Sequence, residues 1–383
     1  MNCKERDKLP DLSYFRSLFP ITKDRAYFNH AGTGPMSVPA QRAVEQCIET
    51  YSRQAEFHID DYFALVQKAR TTVARFLNAE PQEIAFTHNT SEGVYITLIN
   101  LGLQPGDRIL VMNEVFPAVR YVVDHNFPRV EKKYVDFSGM DPVEVVQANL
   151  EKRPKALVID YVQFLSGETI DLERLARITK ECGIFLVVDG IQGIGALDYD
   201  ARKMDVDFLA CGAAKWLFGP SGAGFLYINE RNFDRIQTQH TGWLGADWQC
   251  FEDITAHLPL YGDARKYEMG TRNILGIHAL AANVDVLLQY GMRRVQERIL
   301  RLKSRLRCLL ENLGFDILTP GRGVQSGIIS ARCGDDMKNL YEHLTASNIT
   351  VSLRNGYLRF SPHFYNTEEE VDQIIAAVDR YLR

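Results

Sequence analysis

A series of short, nearly continuous apolar runs limits this chain to few folds. Six such runs read as β-strands, at residues 83–86, 108–112, 156–161, 184–189, 208–211 and 224–228. Segments with helical spacing alternate with them, a pattern typical of parallel sheets that helices cover on both faces. It predicts an α/β fold with a mainly parallel sheet. Ligands of such sheets bind beyond the carboxyl ends of the strands, so polar residues that follow these runs are the candidate site residues.

The length of the chain, 383 residues, fits two domains of ordinary size. Residues 1–25 lack a clear period, and we predict that they form an N-terminal arm. Residues 26–270 contain all six apolar runs and are predicted to form a large domain. The pattern then changes to a long helix from about residue 274, a charged helix, short strands and a last helix. This change predicts a small α+β C-terminal domain over residues 271–383.

Composition and charge argue against several classes of protein. Hydrophobic residues make up 46% of the chain and charged residues 24%, which is ordinary for a globular protein. The net charge of -5 gives no basic excess that would favour a nucleic-acid partner. No apolar run is long enough to span a bilayer, and the mixed charges of residues 1–7 are unlike those of a signal peptide. We therefore expect neither a nucleic-acid nor a membrane partner.

The spacing of cysteine, histidine and glycine argues against three further kinds of site. The seven cysteines form no CxxC pair, which favours reduced thiols and predicts a cytoplasmic location. The histidines do not cluster at ligand spacing, so we predict no metal site. The glycines of residues 190–195 read GxxGxG instead of GxGxxG, which gives little support to a nicotinamide-binding site. A nucleotide-dependent α/β enzyme of another kind stays an alternative.

Asp189 and Lys215 are the first candidates for chemistry. Asp189 closes a buried apolar run, where it either caps a turn or acts as a buried anion that keeps a ring nitrogen cationic. Lys215 lies between small and large apolar residues. Either its stem covers apolar surface while its amine reaches water, or burial favours the neutral amine that a Schiff base needs. Because each residue follows a strand, the pair favours the functional interpretation.

Three further features have both a structural and a functional interpretation. The turn at residues 87–93, with Thr90 and Ser91, either caps a helix or binds a phosphate at the helix N-terminus. Phe116 either packs in the core or stacks on a flat ring. Arg359 lies inside an apolar strand, where it either forms an internal salt bridge or binds a planar anion such as a carboxylate.

Together these features resemble the class V aminotransferase family. Its members are fold-type I enzymes that use pyridoxal 5'-phosphate (PLP), and they include cysteine desulfurases, isopenicillin N epimerases and cysteine C–S lyases. The resemblance runs from about Tyr27 to the C-terminus. Residues 187–192, VVDGIQ, are similar to the V-D-G-x-Q motif of the family. Residues 214–220 resemble the segment around its Schiff-base lysine, and residues 358–366 resemble its carboxylate-binding motif.

The resemblance implies roles for particular residues. Lys215 and Asp189 are the implied catalytic residues, and PLP is the implied cofactor. The implied cofactor-binding residues are Thr90, Ser91, Phe116, Asp189, Gln192, Lys215 and Thr271. Gln192 is expected to reach the phenolic oxygen of the cofactor. The implied substrate-binding residues are Asn29, Gln163 and Arg359. Thr271 and Arg272 are expected to reach the site of a partner subunit, which implies a homodimer.

The function that the resemblance implies is action on an amino acid through an external aldimine with PLP and deprotonation at Cα, with transamination as the expected reaction. A C–S lyase or an epimerase stays an alternative because both use the same first steps. A non-catalytic binding protein with the same fold is a remoter alternative. Two departures from the family matter. Gly212 and Ala214 stand where a hydroxyl residue and a His are common, and residues 349–356 contain no cysteine of the kind that desulfurases use.

Overall fold

The computed structural model describes residues 11–55, 57–248, 255, 257–321 and 325–383. Its strands are β1 (Ala26–Tyr27), β2 (Ile84–Thr87), β3 (Arg108–Met112), β4 (Glu131–Val135), β5 (Ala156–Asp160), β6 (Phe185–Asp189), β7 (Phe208–Gly212), β8 (Gly224–Ile228), β9 (Asp316–Ile317), β10 (Ile329–Arg332), β11 (Ile349–Thr350), β12 (Ser352–Arg354) and β13 (Tyr357–Phe360). Its α-helices are α1 (Leu12–Ser17), α2 (Val38–Gln54), α3 (Ile59–Leu77), α4 (Thr90–Asn100), α5 (Pro117–Asn126), α6 (Pro142–Gln147), α7 (Leu172–Glu181), α8 (Ala201–Met204), α9 (Ile274–Tyr290), α10 (Met292–Asn312), α11 (Met337–Ala346) and α12 (Glu368–Leu382).

A seven-stranded sheet with the order β2-β8-β7-β6-β5-β3-β4 forms the centre of the larger part of the molecule. Only β8 runs antiparallel to its neighbours, β2 and β7. The other pairs are parallel, which confirms the predicted α/β fold with a mainly parallel sheet. The six apolar runs are strands of this sheet. Its seventh strand, β4, was not predicted because its sequence EKKYV is polar, as suits an edge strand whose side chains are mostly half-buried.

The register of the sheet brings the ends of three strands together. Asp160 at the end of β5 pairs with Asp189 at the end of β6, and Asp189 pairs with Ala210 on β7. Because parallel neighbours in register point their side chains to the same face, the two carboxyl groups lie side by side. This edge of the sheet is where the candidate site residues were expected.

A second sheet, with the order β12-β13-β10-β9, is antiparallel and belongs to a separate hydrophobic core. The N-terminal strand β1 pairs in parallel with β11, and Ala26 and Phe28 are buried in this second core. Residues 26–28, which follow the predicted arm, thus pack with the C-terminal part of the chain. No local pattern could reveal it, because the partner of this two-residue strand lies more than three hundred residues away in the chain.

Helix α9 has the bounds that its apolar pattern predicts, and α10 follows it after Gly291. The buried side chains of α9 lie in the first core, whereas α10 contributes Val295 and Ile299 to the first core and Leu302 and Leu306 to the second. Helix α10 thus contributes to both cores. No single helix of the described residues is long and apolar enough to cross a membrane, and α9 and α10 pass that test only as a pair bent by 81°.

The predicted N-terminal arm is described only from residue 11, and the residues whose charges argued against a signal peptide lie outside the described part. Within it, Asp11 caps α1 by accepting a hydrogen bond from the Tyr14 N–H group. The helix buries Phe15 in the first core, and Phe19 follows it there. Phe19 stacks on Tyr365 at 4.2 Å between ring centroids, so this segment connects the C-terminal motif to the core.

Candidate functional site

A narrow cleft lies at the carboxyl ends of β5, β6 and β7. It is lined by Phe116, Asp160, Val162, Phe164, Asp189, Ile191, Gln192 and Lys215. A second, wider cleft of about 190 Å³ shares Ile191 with the first and is lined by the turn at residues 88–91 and by residues 212–214 and 221–223. The structure therefore brings four candidates to one cleft and Thr90 and Ser91 to the cleft beside it.

Asp189 is a buried carboxyl group with one oxygen left open. Its side chain is 2% exposed, and Oδ1 accepts a hydrogen bond from the Ile191 N–H at 2.9 Å. Oδ2 is buried without a hydrogen-bond partner among the described residues. Burial raises the pKa of Asp189 to about 6, while the Ile191 N–H and the charge of Lys215 act in the opposite direction. Such a carboxylate is prepared to accept a hydrogen bond from a cationic ligand.

Lys215 follows β7 and extends its amine into the cleft, where Nζ lies 5.1 Å from the centroid of the Phe116 ring. Burial lowers the pKa of Lys215 to about 8, although the charge of Asp189 opposes this shift. A neutral amine is therefore accessible close to neutral pH, as nucleophilic lysines require.

The turn that carries Lys215 is held by a close backbone contact. The N–H of Gly34 donates to the Ala214 carbonyl at 2.9 Å. A Cβ atom at Gly34 would lie only 2.0 Å from the Lys215 carbonyl oxygen, so no other residue fits there. Phe218, which closes the same turn, has a φ of 57° and donates its N–H to the Lys215 carbonyl at 3.0 Å. This strained turn fixes the point from which the Lys215 side chain leaves the backbone.

Phe116 forms one wall of the cleft and is 36% exposed. It precedes α5, and its ring meets the Phe164 ring edge to face at 5.1 Å between centroids. Its backbone N–H donates to Asp160 Oδ2 at 2.9 Å. The ring thus lies at the cleft surface and not in the core, which is the arrangement that stacking on a ligand requires.

Asp160 is a site residue that the sequence analysis did not single out. Its side chain is 3% exposed and its Oδ1 has no hydrogen-bond partner among the described residues. Burial raises the pKa of Asp160 well above the ordinary value, and the neighbouring charge of Asp189 raises it further. The signal was available, because Asp160 ends an apolar strand just as Asp189 does.

Thr90 and Ser91 begin α4, whose N-cap residue Asn89 accepts a hydrogen bond from the Glu92 N–H at 3.0 Å. Thr90 is buried, and its Oγ1 accepts a hydrogen bond from the Gly212 N–H at 3.0 Å. A Cβ atom at Gly212 would lie 3.2 Å from Ile191 Cδ1 and 3.4 Å from Thr90 Oγ1. Thr90 and Ile191 therefore occupy the space that a side chain at position 212 would need. The helix N-terminus beside this cleft favours an anion.

The two glutamine candidates make hydrogen bonds within the chain. Gln192 donates from Nε2 to the Ala31 carbonyl at 3.0 Å, and its Oε1 accepts from Trp216 Nε1 at 2.9 Å. Gln163 accepts from the Leu165 N–H at 2.7 Å and closes the turn that leads to Gly167. Both amides are thereby fixed in place. The Gln192 amide keeps a second N–H beyond the one that Ala31 accepts.

Arg359 lies beside the first cleft, because it bonds to Phe164 of the cleft lining, and Asn29 pairs with Ser361, which follows the strand of Arg359. Arg359, on β13, donates from Nη1 to the Phe164 carbonyl at 2.6 Å, and its buried Nε has no partner among the described residues. Burial lowers the pKa of Arg359 to about 10, helped by the charge of Arg354. Asn29 bridges to Ser361 on the same C-terminal segment, and its Oδ1 is likewise buried without a described partner. An incoming carboxylate would satisfy the open guanidinium donor.

Arg272 takes part in a buried ion cluster of its own chain, which the sequence analysis did not foresee. Glu268, four residues earlier, binds Arg272 Nε, and it also binds Arg70 with Nη1 to Oε1 at 2.6 Å. The same carboxylate accepts the N–H of Phe86 at 2.7 Å. Arg272 is thus held by Glu268 of its own chain, and Thr271 beside it is exposed. That the two residues reach a partner subunit stays a prediction.

No group of three or more His, Cys, Asp or Glu side chains in the described part of the chain could hold a metal ion. His30 and His363 are buried and bonded to chain atoms: His30 contacts the Tyr365 hydroxyl at 2.6 Å and His363 contacts the Trp216 carbonyl at 3.1 Å. These histidines connect the C-terminal motif to the segment around Lys215. They thus hold the site together without lining it.

Comparisons with known proteins agree on one family. The sequence model of the family "Aminotransferase class-V" matches residues 27–374. An uncharacterized aminotransferase of Bacillus subtilis, YcbU, is 22% identical, with coverage of 94% of this chain and 97% of the relative. A probable cysteine desulfurase of Pyrococcus abyssi is 28% identical, with 96% and 97% covered. An isopenicillin N epimerase of Streptomyces clavuligerus is 26% identical, with 85% and 86% covered.

Two solved structures show the same fold. The apo structure of a cysteine desulfurase from Thermococcus onnurineus superposes with a TM-score of 0.85 at 23% identity, and 96% of this chain and 97% of that chain are covered. A variant of C-DES with glycine covalently linked to its PLP cofactor superposes with a TM-score of 0.88 at 20% identity, covering 96% and 99%. Both alignments span the cleft and the C-terminal sheet, so the architecture as a whole is shared.

Proposed function

The chain belongs to the class V aminotransferase family of PLP-dependent enzymes, and we propose that it acts on an α-amino acid by removing the Cα proton, with transamination as its reaction. PLP is its cofactor. The observation that carries the proposal is the meeting of the Lys215 amine and the open oxygen of Asp189 in one cleft, beside a guanidinium with an open donor. A cofactor aldehyde, a ring nitrogen and a substrate carboxylate each have a matching group there.

The open polar atoms of the two clefts fit PLP. Asp189 Oδ2 is buried and unpartnered among the described residues, as suits a cationic ring nitrogen. Lys215 supplies the amine for the aldehyde, and the Phe116 ring supplies a stacking face. Thr90 and Ser91 at the start of α4 suit the phosphate, with neutral donors and the helix dipole in place of side-chain cations. The second N–H of Gln192 suits the phenolic oxygen.

Bound PLP supplies a sink for the electron pair that remains when Cα loses its proton. Asp189 keeps the ring nitrogen cationic, because a buried carboxylate is stabilised by the positive charge it faces. Lys215 accepts the Cα proton at Nζ, for which a pKa of about 8 leaves the amine partly neutral near pH 7. Arg359 binds the substrate carboxylate, with Asn29 and Gln163 beside it, and so orients the Cα–H bond toward Lys215.

A C–S lyase or an epimerase is the second candidate, because both reactions begin with the same loss of the Cα proton. The specific observation in its favour is the fold shared with the cystine C–S lyase C-DES. Residues 349–356, just before the β13 strand of Arg359, contain no cysteine. Persulfide transfer of the desulfurase type is therefore not proposed.

The test is a panel of α-amino acids, cystine included, incubated with the PLP-loaded protein and an α-keto acid acceptor. We expect an α-keto acid from the donor and a new amino acid from the acceptor, in equal amounts. Sulfide or persulfide without use of the acceptor would establish the lyase instead, and a racemised donor would establish the epimerase. No consumption of any amino acid would contradict the proposal.

The proposal includes a homodimer in the cytoplasm, with Thr271 of one subunit near the phosphate of the other. In its support, the loop before α9 combines the exposed Thr271 with exposed apolar side chains that a partner could cover. Trp243 is 47% exposed and lies against this loop, since a Cβ at Gly270 would be 3.5 Å from Trp243 Nε1. We expect a dimer in sedimentation equilibrium and a weaker PLP affinity in Thr271→Ala. A monomer with unchanged affinity would contradict this part.

A further inference from the structure

Asp160 is a second buried carboxyl group in the cofactor cleft, beside the one that motif resemblance identifies. It lines the same cleft as Asp189 and Lys215, and it is paired with Asp189 across β5 and β6. One of its oxygens accepts the backbone N–H of Phe116, and the other is buried without a described partner. It therefore contacts both the residue proposed to hold the ring nitrogen and the residue proposed to stack on the ring.

We propose that Asp160 is a positioning residue of the PLP site, a neutral acid that fixes the Phe116 ring against the cofactor and leaves Asp189 as the single ionised carboxylate. The proposal rests on the roles proposed above for Asp189 and Phe116. It does not depend on whether transamination, elimination or epimerisation follows.

The electrostatics of Asp160 and Asp189 favour one neutral acid in the pair. Two adjacent carboxyl groups that are almost fully buried do not both ionise, because each charge raises the cost of the other. The charged groups that face Asp160 are Asp189 on β6 and Lys215 after β7. On its other side lies β3, whose last residues Val111 and Met112 carry no charge.

The two acids differ in what stabilises their ionised forms. Asp189 accepts the Ile191 N–H, lies close enough to Lys215 to feel its charge, and is left with an open oxygen for a cationic ring nitrogen. Asp160 likewise accepts one N–H and lies within reach of the Lys215 charge, but the charge of Asp189 opposes its ionisation. With PLP bound, the cationic ring nitrogen faces Asp189 and stabilises its charge, so the proton of the pair stays on Asp160.

The second argument is the contact with Phe116. Phe116 is the residue before Pro117, and its backbone N–H lies outside the first turn of α5. Asp160 Oδ2 satisfies that N–H at 2.9 Å and so ties the loop after β3 to the end of β5. A neutral acid can make this bond and still offer an O–H on its second oxygen. Removal of the acceptor would free the loop and with it the stacking ring.

The chain offers a sharp pair of variants at this position. Asparagine is neutral, keeps an acceptor for the Phe116 N–H, and places an N–H donor where the acid has its O–H. Asp160→Asn should therefore keep the PLP dissociation constant within about threefold of the wild-type value, and keep the pH midpoint of the visible absorbance of the bound cofactor. Asp160→Ala removes the acceptor, and it should weaken PLP binding about tenfold.

A double-mutant cycle tests the route through Phe116. If Asp160 acts by holding that ring, the tenfold effect of Asp160→Ala should fall to about twofold or less in a Phe116→Ala background. Equal weakening of PLP binding by Asp160→Ala with Phe116 and with Phe116→Ala would contradict the proposed route through Phe116. So would Asp160→Asn weakening PLP binding as much as Asp160→Ala does, because the neutral variant would then have lost an essential charge.

The protonation state is measured on the apoprotein, independently of any reaction. Infrared difference spectra at neutral pH should show a protonated carboxyl band that is absent in Asp160→Asn. In Asp189→Asn the band should persist but titrate at lower pH, since the neighbouring charge is gone. A band that survives Asp160→Asn, or no band at all in the wild-type protein, would overturn the proposal.

These readouts separate the proposal from the proposed function. Should the amino-acid panel show no transamination while Asp160→Asn behaves as predicted, the reaction is wrong and the role of Asp160 stands. Should transamination be found while Asp160→Asn shifts the absorbance titration, the reaction stands and the neutral acid is wrong. If Asp160→Ala does not fold, the infrared band and the affinity of Asp160→Asn decide the matter alone.

Discussion

Two buried clusters of charged side chains in this protein differ in whether arginines of the chain match the charge of the buried acid. In the first, Glu268 lies between Arg70 and Arg272, and all three side chains are at most 6% exposed. In the second, Asp189, Asp160 and Lys215 line the cofactor cleft, and each carboxyl group has one oxygen without a partner in the described part of the chain. The first cluster matches the charge of Glu268 with two guanidinium groups, although Arg70 Nε and Arg272 Nη1 have no partner among the described residues. In the second cluster it is the carboxyl oxygens that lack a partner there.

The pKa values follow this difference. The pKa of Glu268 is lowered although burial alone would raise it, because the two guanidinium groups outweigh burial. The pKa of Asp189 is raised to about 6, because burial outweighs its partners. A buried acid whose charge is matched within the chain is thus structural, and a buried acid whose charge is unmatched indicates a binding function.

The largest expected effect belongs to Lys215. Lys215→Ala should lower turnover by at least about a thousandfold, because both the covalent attachment and the proton transfer depend on its amine. The matched control is Lys303, a buried lysine on α10 whose pKa burial also lowers to about 8 and whose Nζ binds Gln325 Oε1 at 2.7 Å, away from the cleft. Lys303→Met should keep its turnover. If steady-state assays gave equal losses of turnover in the two variants, the loss would follow from changing a buried lysine and not from its place in the cleft.

Changes in the cluster around Glu268 should affect the free energy of unfolding more than changes in the cofactor cleft. Glu268→Gln leaves two buried guanidinium groups without a carboxylate and should lower the free energy of unfolding by about 3–5 kcal/mol. Urea unfolding of the apoprotein measures this. Glu297→Gln, which removes an exposed ion pair with Arg293, serves as the control and should change little. A small loss in Glu268→Gln would mean that the cluster is hydrated and not structural.

Arg359 sharpens the contrast, since it is a buried cation whose described hydrogen bond goes to the neutral Phe164 carbonyl and not to a carboxylate. Arg359→Lys should raise the KM for amino acids about tenfold or more, because a lysine loses the planar pair of donors that binds a carboxylate. Activity toward amines that lack a carboxylate should not fall further. The exposed Arg354 provides the control, and Arg354→Lys should leave KM unchanged. An unchanged KM in Arg359→Lys would place the carboxylate elsewhere.

The two clusters should also depend on pH in opposite directions. The folded apoprotein holds a proton on Asp189 up to about pH 6, whereas the unfolded chain releases it near pH 3.8. Stability from this group is thus present at low pH and is lost as pH rises through that window, by up to about 3 kcal/mol. For Glu268 the pKa is lowered, so its contribution is present above its ordinary value of 4.5 and is lost as pH falls.

Asp189→Asn tests this sign directly. Above pH 6 the apo variant should be more stable than the wild-type apoprotein, and the difference should vanish near pH 4, as measured by urea unfolding across that range. Asp207→Asn is the control, because Asp207 is a buried acid of the same sheet whose oxygens bind Arg231, Asn232 and the Leu186 N–H. It should destabilise the protein throughout. A destabilised Asp189→Asn apoprotein at pH 7 would contradict the account.

The sequence predicted the sheet well because its strands are buried. The six apolar runs match the observed strands to within a residue or so at each end, whereas polar β4 and the two-residue β1 escaped notice. The motif residues Asp189, Lys215 and Phe116 meet in one cleft as expected. Asp160 was missed because it lies outside any motif. The ion pair of Arg272 with Glu268 was not predicted, because no local pattern indicates which buried acid a given arginine binds.

Reduction of the PLP-loaded protein with borohydride, followed by peptide mass spectrometry, tests the central claim most directly. It traps the bond between the cofactor and whichever amine carries it. The account predicts a pyridoxyl group on the peptide that contains Lys215, at a stoichiometry near one per chain, with Lys303 unmodified. A pyridoxyl group on another lysine, or none after loading with PLP, would contradict it.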